Sequence, residues 1–158
     1  MLERVDALAT VHRQLYESED IARFDIGSFA ASLVNEVVGA SGRTNIDLQI
    51  DAQPLFIDAA HASALGLILN EIVTNALKHA YGDGRAGYLQ VLVEADDARG
   101  IIKICDDGPG LPSTKRTKSI GTALITRLAR QAHAEAIWNN NSPGTCVTIT
   151  FPRSEIST

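Results

Sequence analysis

Only two cysteines occur in the 158 residues, at positions 105 and 146, too far apart for a CxxC pair. Both lie in apolar, strand-like runs, so the expectation is two buried free thiols in a reducing compartment; a disulfide framework or a cysteine metal centre is not expected. No apolar run approaches the roughly 20 residues of a membrane span, and Met1-Leu2-Glu3-Arg4 opens no secretory hydrophobic region. A cytoplasmic chain without membrane contact is therefore expected. Internal repeats and low-complexity tracts are also missing. A basic excess is lacking too: the net charge of −5 argues against a nucleic-acid binder held by bulk electrostatics. Two nucleotide signatures are absent. Nothing matches the GxxxxGK[ST] phosphate loop, and Gly108-Pro109-Gly110 lacks the third glycine of a dinucleotide fingerprint.

What is present is an ordinary globular composition, 45% hydrophobic and 21% charged, enough for one compact domain with a helical appendage. Leu2, Val5, Leu8, Ala9, His12, Leu15 and Tyr16 recur at helical spacing and predict a helix over residues 2–17, with His12 on its apolar side as a packing residue. A second helix follows Asp25, its predicted N-cap, through Ile26, Phe29, Ala30, Leu33, Val34, Val37 and Val38, and stops at Gly39 and Gly42. Residues 17–23 are predicted as the loop between them. The character of the chain changes after Ser41-Gly42-Arg43, which divides it into a helical segment, 1–42, and a domain, 43–158. Within that domain Ile46, Leu48 and Ile50 alternate as a strand, and Leu55-Phe56-Ile57 forms a second short one. A long helix is predicted over 58–81, followed by a hairpin of strands 87–94 and 100–105 about Asp96-Asp97-Ala98-Arg99. A helix over 120–134 and a last hairpin, 136–138 with 145–151, complete the pattern. The expected fold is α+β: a two-layer sandwich of helices on one face of a mixed, mostly antiparallel sheet.

Two stretches carry candidate chemistry. On the long helix, Leu65, Ile68, Leu69, Ile72, Val73, Ala76, Leu77 and Ala80 form the buried arc. At about 100° per residue, Glu71, Asn75 and Lys78 then share one strip of the opposite side, with His79 slightly further round. An amide oxygen at Asn75 suits a hard cation such as Mg²⁺, which takes oxygen ligands and is commonly held together with substrate phosphates. Lys78 would neutralise phosphate charge. The plainer alternative is a solvated helix face. The second stretch is Cys105-Asp106-Asp107-Gly108-Pro109-Gly110, in which an acceptor-only carboxylate ends a strand and glycines allow close backbone approach. Such a carboxylate selects adenine, whose exocyclic amine donates, over guanine, whose oxygen repels it. A Gly-Pro turn closing a hairpin is the plainer alternative here. Beyond it, Lys115, Arg116 and Lys118 form a basic loop that enters a helix at Ser119-Ile120-Gly121-Thr122, where free backbone N–H groups suit an anion. Near the C-terminus, the Thr145 hydroxyl is placed to support Asp106 through a water. The order and spacing of these pieces point to an ATP site.

Together, the run Asn70-Glu71-Ile72-Val73-Thr74-Asn75-Ala76-Leu77-Lys78-His79-Ala80, the Asp106–Pro112 turn, Ser119-Ile120-Gly121-Thr122, Gly144-Thr145 and Phe151-Pro152 resemble the Bergerat-type ATP-binding domain. That domain is shared by gyrase-like ATPases, Hsp90, histidine kinases and MutL proteins. Leu67-Ile68-Leu69-Asn70-Glu71 and the helix carrying His12-Arg13-Gln14-Leu15-Tyr16 resemble more narrowly the bacterial sensor histidine kinases of the HWE-like group. The resemblance implies a protein-histidine kinase that binds ATP and Mg²⁺. Asn75 would hold the metal, Lys78 and Lys118 would approach phosphate, and Asp106 would contact the adenine amine. Glu71 would lie near the γ-phosphate as the catalytic residue, and Gly108, Gly110, Gly121, Thr122, His79 and Thr145 would line the nucleotide. It also implies an upstream sensor domain, homodimerisation of the full-length protein, and phosphoryl transfer to a histidine and onward to a response regulator receiver domain. The phosphoacceptor histidine is not recognised in this chain and is expected before Met1, with residues 1–42 as the later part of the dimerisation and phosphotransfer module. Three departures stand out: a short loop at Ser113–Lys118 without a phenylalanine box, a second glycine box reduced to Gly121, and Gln131-Ala132-His133-Ala134 where relatives often carry a glycine pair. Other readings of the same fold are a phosphotransfer or docking scaffold with a dead pocket and an anti-sigma-type serine kinase.

Overall fold

In the computed structural model the described residues are 23–80, 86–109, 120–141 and 143–153. The predicted helix over 2–17, with His12, lies outside them, as does the basic loop carrying Lys115, Arg116 and Lys118. Among the described residues there are seven strands and three α-helices. In chain order these are β1 (Arg23–Asp25), α1 (Ile26–Ala40), β2 (Ile46–Ala52), β3 (Phe56–Asp58), α2 (Ala59–Asn75) with a π-helical turn (Ala76–Ala80), β4 (Gly87–Ala95), β5 (Arg99–Asp106), α3 (Ile120–Gln131), β6 (Glu135–Asn140) and β7 (Thr145–Pro152). Five strands form one sheet in the order β2-β4-β5-β7-β6, in which β2 runs parallel to β4 and every other neighbour is antiparallel.

Alternation decides which side of that sheet is covered. Leu89, Val91 and Val93 on β4, Ile102 and Ile104 on β5, and Val147, Ile149 and Phe151 on β7 are buried with Phe29, Leu33 and Val34 of α1, Ile68, Leu69, Ile72 and Val73 of α2, and Ile125 and Leu128 of α3. Gln90, Glu94 and Lys103, which point the other way, are exposed. The expected α+β two-layer sandwich is what forms. α1 contributes Phe29, Leu33 and Val34 to this core.

Several local expectations are sharpened. Asp25 caps α1 as predicted: its Oδ1 accepts from the backbone N–H of Gly27 at 3.1 Å and Ser28 at 3.3 Å. The same oxygen also accepts from Leu55 N–H at 3.0 Å, which ties the helix start to the approach to β3. Residues 23–25, expected as loop and cap, also pair with β3 as a small antiparallel sheet. Because one oxygen serves three backbone donors, Asp25→Ala is expected to cost about 2–3 kcal/mol, beyond an ordinary cap, in urea unfolding. At the hairpin turn, the N–H groups of Ala98 and Arg99 donate to Asp96 Oδ1 at 2.9 and 2.7 Å, and these bonds, Ala98's foremost, hold its carboxyl below the ordinary carboxylate value.

The end of α3 explains a departure noted in the sequence. His133 has φ +54°, Ala134 N–H reaches the Ala129 carbonyl at 2.8 Å, and His133 N–H reaches that of Arg130 at 3.2 Å. This is a Schellman stop with histidine in the left-handed position usually held by glycine. His133→Gly is accordingly expected to stabilise the chain by about 0.5–1 kcal/mol in the same measurement, offset in part by the looser unfolded chain.

One expectation is overturned. Cys105 and Cys146 are not free thiols: they are joined as a disulfide, with Cα atoms 4.1 Å apart. The 41-residue separation hid a direct cross-strand pairing, Cys105 opposite Cys146 in the β5–β7 register.

Candidate functional site

Asp106 is the last residue of β5 and takes the next inward position after Ile102 and Ile104, so its side chain emerges on the helix-covered face where the apolar row ends. It sits opposite Leu89 of β4 and is half-buried. Its Oδ1 accepts from Gly108 N–H at 2.9 Å and from Thr145 N–H at 3.2 Å. The first bond closes the turn; the second spans to the start of β7. Its carbonyl accepts from Asn141 Nδ2 at 3.1 Å. The carboxylate is thus oriented from both sides by backbone. Thr145 holds Asp106 through its backbone N–H.

Gly144 makes this contact possible. Its φ is +104°, and a Cβ placed there would drive into the carbonyl of Asp106 and the Cα of Asp107. The β6–β7 turn is closed by Asn141 N–H on the Gly144 carbonyl at 2.9 Å. Asp107 faces the neighbouring strand, its Oδ1 accepting from Tyr88 N–H at 3.1 Å. Of these supports, the β6–β7 turn was expected, as the bend of the last hairpin between 136–138 and 145–151. The roles of Asn141 and Asp107 left no local signal, since they depend on strands brought together from residues 19 to 35 apart.

α2 supplies the other group of candidates. Glu71 is buried at 6% exposure although it is a carboxylate, and Asn75, one turn on, is half-buried as the last residue of the α-helix. Glu71 and Asn75 keep the i, i+4 relation on which the strip reading depends. Lys78, exposed, lies in the π turn Ala76–Ala80, where each residue advances less than in an α-helix. The uniform 100° spacing expected for it does not hold there. The long helix predicted over 58–81 is likewise two pieces, with Asp58 in β3. Next to Glu71 stand two further polar residues of the same run, given no role of their own in the sequence reading: Asn70, 2% exposed, and Thr74, one turn later. Asn70 Nδ2 and Thr74 Oγ1 are buried without a hydrogen-bond partner among the described residues.

Gly121 and Thr122 fall in the first turn of α3, as predicted. Gly108 is buried in the Asp106 turn. Gly110 and Lys118 lie outside the described residues, as does the side chain of His79. Among the described residues no cluster of three or more His, Cys, Asp or Glu forms a metal centre, and no helix is long and apolar enough to cross a membrane.

Comparison with known proteins gives the arrangement its relatives. Residues 60–155 match the family described as histidine kinase-, DNA gyrase B- and HSP90-like ATPase, and residues 1–41 match a second family described as histidine kinase. The chain is 26% identical to blue-light-activated histidine kinase 2 of Erythrobacter litoralis, over 98% of this chain and 47% of that protein. It is 29% identical to the sensor histidine kinase PdtaS of Mycobacterium tuberculosis, over 80% of this chain and 26% of that protein. The chain therefore spans from about a quarter to about half of these relatives. The histidine kinase domain of a blue-light-activated kinase from Erythrobacter litoralis shares the fold at a TM-score of 0.85 and 23% identity, covering 96% of this chain and 73% of that one. The ATP-binding domain of PrrB from Mycobacterium tuberculosis does so at 0.69 and 22%, covering 84% and 97%. These matches do not favour a docking scaffold or an anti-sigma-type serine kinase.

Proposed function

The chain belongs to the histidine kinase-, DNA gyrase B- and HSP90-like ATPase family, and from that premise we propose that it is the ATP-binding catalytic part of a sensor histidine kinase. The observation that carries this reading is the mounting of Asp106: an acceptor-only carboxylate at the end of an inward-facing row, oriented by the N–H groups of Gly108 and Thr145. Such a group receives the exocyclic amine of adenine and turns away guanine. Buried Gly108, with Gly110 beyond it, lets the backbone lie against the flat base.

The triphosphate then extends toward α2 and the start of α3. Lys78 and Lys118 neutralise its charge, and the N–H groups about Gly121 and Thr122 at the head of α3 receive phosphate oxygens. His79 and Thr145 complete the lining. The donor chemistry on α2 fits Mg²⁺: the Asn75 amide is a hard, neutral oxygen ligand, half-buried one turn from the Glu71 carboxylate. When bound, the metal would be held by Asn75 and would neutralise phosphate charge. Glu71, buried one turn from Asn75, accepts a hydrogen bond from the protonated ring nitrogen of the incoming histidine. It takes up that proton as the other, lone-pair nitrogen attacks. Catalysis of this kind is chiefly positioning and charge compensation, which a rigid sheet end and a helix face supply.

The phosphoryl group passes to a histidine outside this chain and then to a response regulator receiver domain. Residues 1–42 act as the C-terminal part of a dimerisation and phosphotransfer module, and 43–158 as the catalytic domain. The full-length protein is a cytoplasmic homodimer with an upstream sensor domain. Titrating Mg·ATP into the chain by calorimetry tests the central claim. Saturable binding that weakens when EDTA removes the metal is expected. No heat with protein at high micromolar concentration would count against the reading.

A further inference from the structure

The disulfide lies on the side of the sheet that the kinase reading does not use. Since Ile102, Ile104 and Asp106 point toward the helices on β5, and Val147 and Ile149 on β7, Cys105 and Cys146 point to the open face. Successive pairings set them in one transverse row, Gln49–Gln90–Cys105–Cys146–Asn139, flanked by exposed, uncharged amides. Cys146 is half-buried and Cys105 is 4% exposed, so a small reagent meets Cys146 first.

Their chain neighbours are the two partners of the pocket bond. Asp106 follows Cys105, Thr145 precedes Cys146, and Thr145 N–H donates to Asp106 Oδ1 at 3.2 Å. Cys105 opposite Cys146 is also the terminal pair of the β5–β7 ladder. Beyond it the strand ends are joined through the side chain and carbonyl of Asp106 rather than by further ladder pairs. The 4.1 Å Cα spacing is that of a close, non-hydrogen-bonded cross-strand pair. Two thiols repel at the separation that two bonded sulfurs hold. Reduction therefore turns the cysteine side chains or spreads the strand ends, and the bond nearest to yield is the one already long, from Thr145 to Asp106.

We propose that Cys105 and Cys146 form a reversible thiol–disulfide site through which a low-molecular-weight disulfide or thiol sets the nucleotide affinity of the pocket behind them; this rests on the ATP-binding reading above. In the oxidising direction one cysteine thiolate attacks a disulfide such as oxidised glutathione and releases one glutathione thiolate. The second cysteine thiolate then displaces the other, forming the Cys105–Cys146 bond. Two protein thiols lose two protons and two electrons, and the reagent disulfide becomes two thiols. Excess thiol reverses the exchange.

The test uses the whole chain in two forms, oxidised by glutathione disulfide or reduced by dithiothreitol, each verified by intact mass (a loss of two hydrogens on oxidation) and thiol counting. Mg·ATP is then titrated into each. The reduced form is expected to bind roughly threefold to tenfold more weakly, the scale of one weakened hydrogen bond, and reoxidation restores the affinity. Cys146→Ser should bind as the reduced form does and ignore the oxidant. Two thiols that persist after glutathione disulfide, or equal affinity in the two verified forms, overturn this proposal alone. Binding in neither form overturns the nucleotide reading and takes this proposal with it.

Discussion

Asp106→Asn is expected to weaken Mg·ATP binding by roughly 10- to 100-fold, the scale of a lost charge-assisted hydrogen bond. The amide replaces one acceptor oxygen with a donor. Gly108 and Thr145 already direct two N–H groups at Oδ1, so the remaining oxygen takes that position and the NH₂ turns toward the base. There it meets the adenine amine, donor against donor. The same NH₂ suits the carbonyl oxygen of guanine, so the variant should narrow or reverse the preference for ATP over GTP. Calorimetry with both nucleotides reads the two effects together. A variant that binds ATP as tightly as the parent would remove Asp106 from the base pocket.

Gly144→Ala should cost about 3 kcal/mol or more in stability and lower the ATP affinity of whatever remains folded. Two effects add. At φ +104° an alanine is strained, and its methyl has no room against the Asp106 carbonyl and Asp107. Backbone cannot rotate away as a flexible side chain would. The shift then reaches Thr145 N–H, one residue on, and through it the orientation of the Asp106 carboxylate. Urea unfolding and an ATP titration separate the two losses. Wild-type stability together with wild-type binding would mean that the turn adapts, and that the link from Gly144 to the pocket is weaker than the contact suggests.

Much of this molecule was legible in the order of its residues because the signals are local. Helical spacing in Ile68, Leu69, Ile72 and Val73, strand alternation in Ile46, Leu48 and Ile50, and a cap at Asp25 each rest on neighbours a few residues apart. The α+β class follows from their succession. Asp106 could be singled out for the same reason: a carboxylate placed directly after an apolar strand and before two glycines is recognisable without knowing what lies opposite.

What remained hidden depends on pairing across distance. The disulfide was missed because 41 residues separate the cysteines and only the β5–β7 register sets them face to face. The π turn at Ala76–Ala80 was missed because its residues continue the helical pattern without interruption. The second anchor on Asp106 is a backbone N–H, which carries no residue identity and so cannot be read from a sequence at all.

By itself, then, the sequence determined most of the helices and strands, which face of each is apolar, and which side chains have the chemistry to meet a nucleotide, since these are set by side-chain type and local period. Tertiary structure alone decided how Asp106 is held, why Gly144 must be glycine, and which cysteine faces which. Those outcomes belong to strand register and to close backbone approach, properties of two chain segments together that neither segment carries alone.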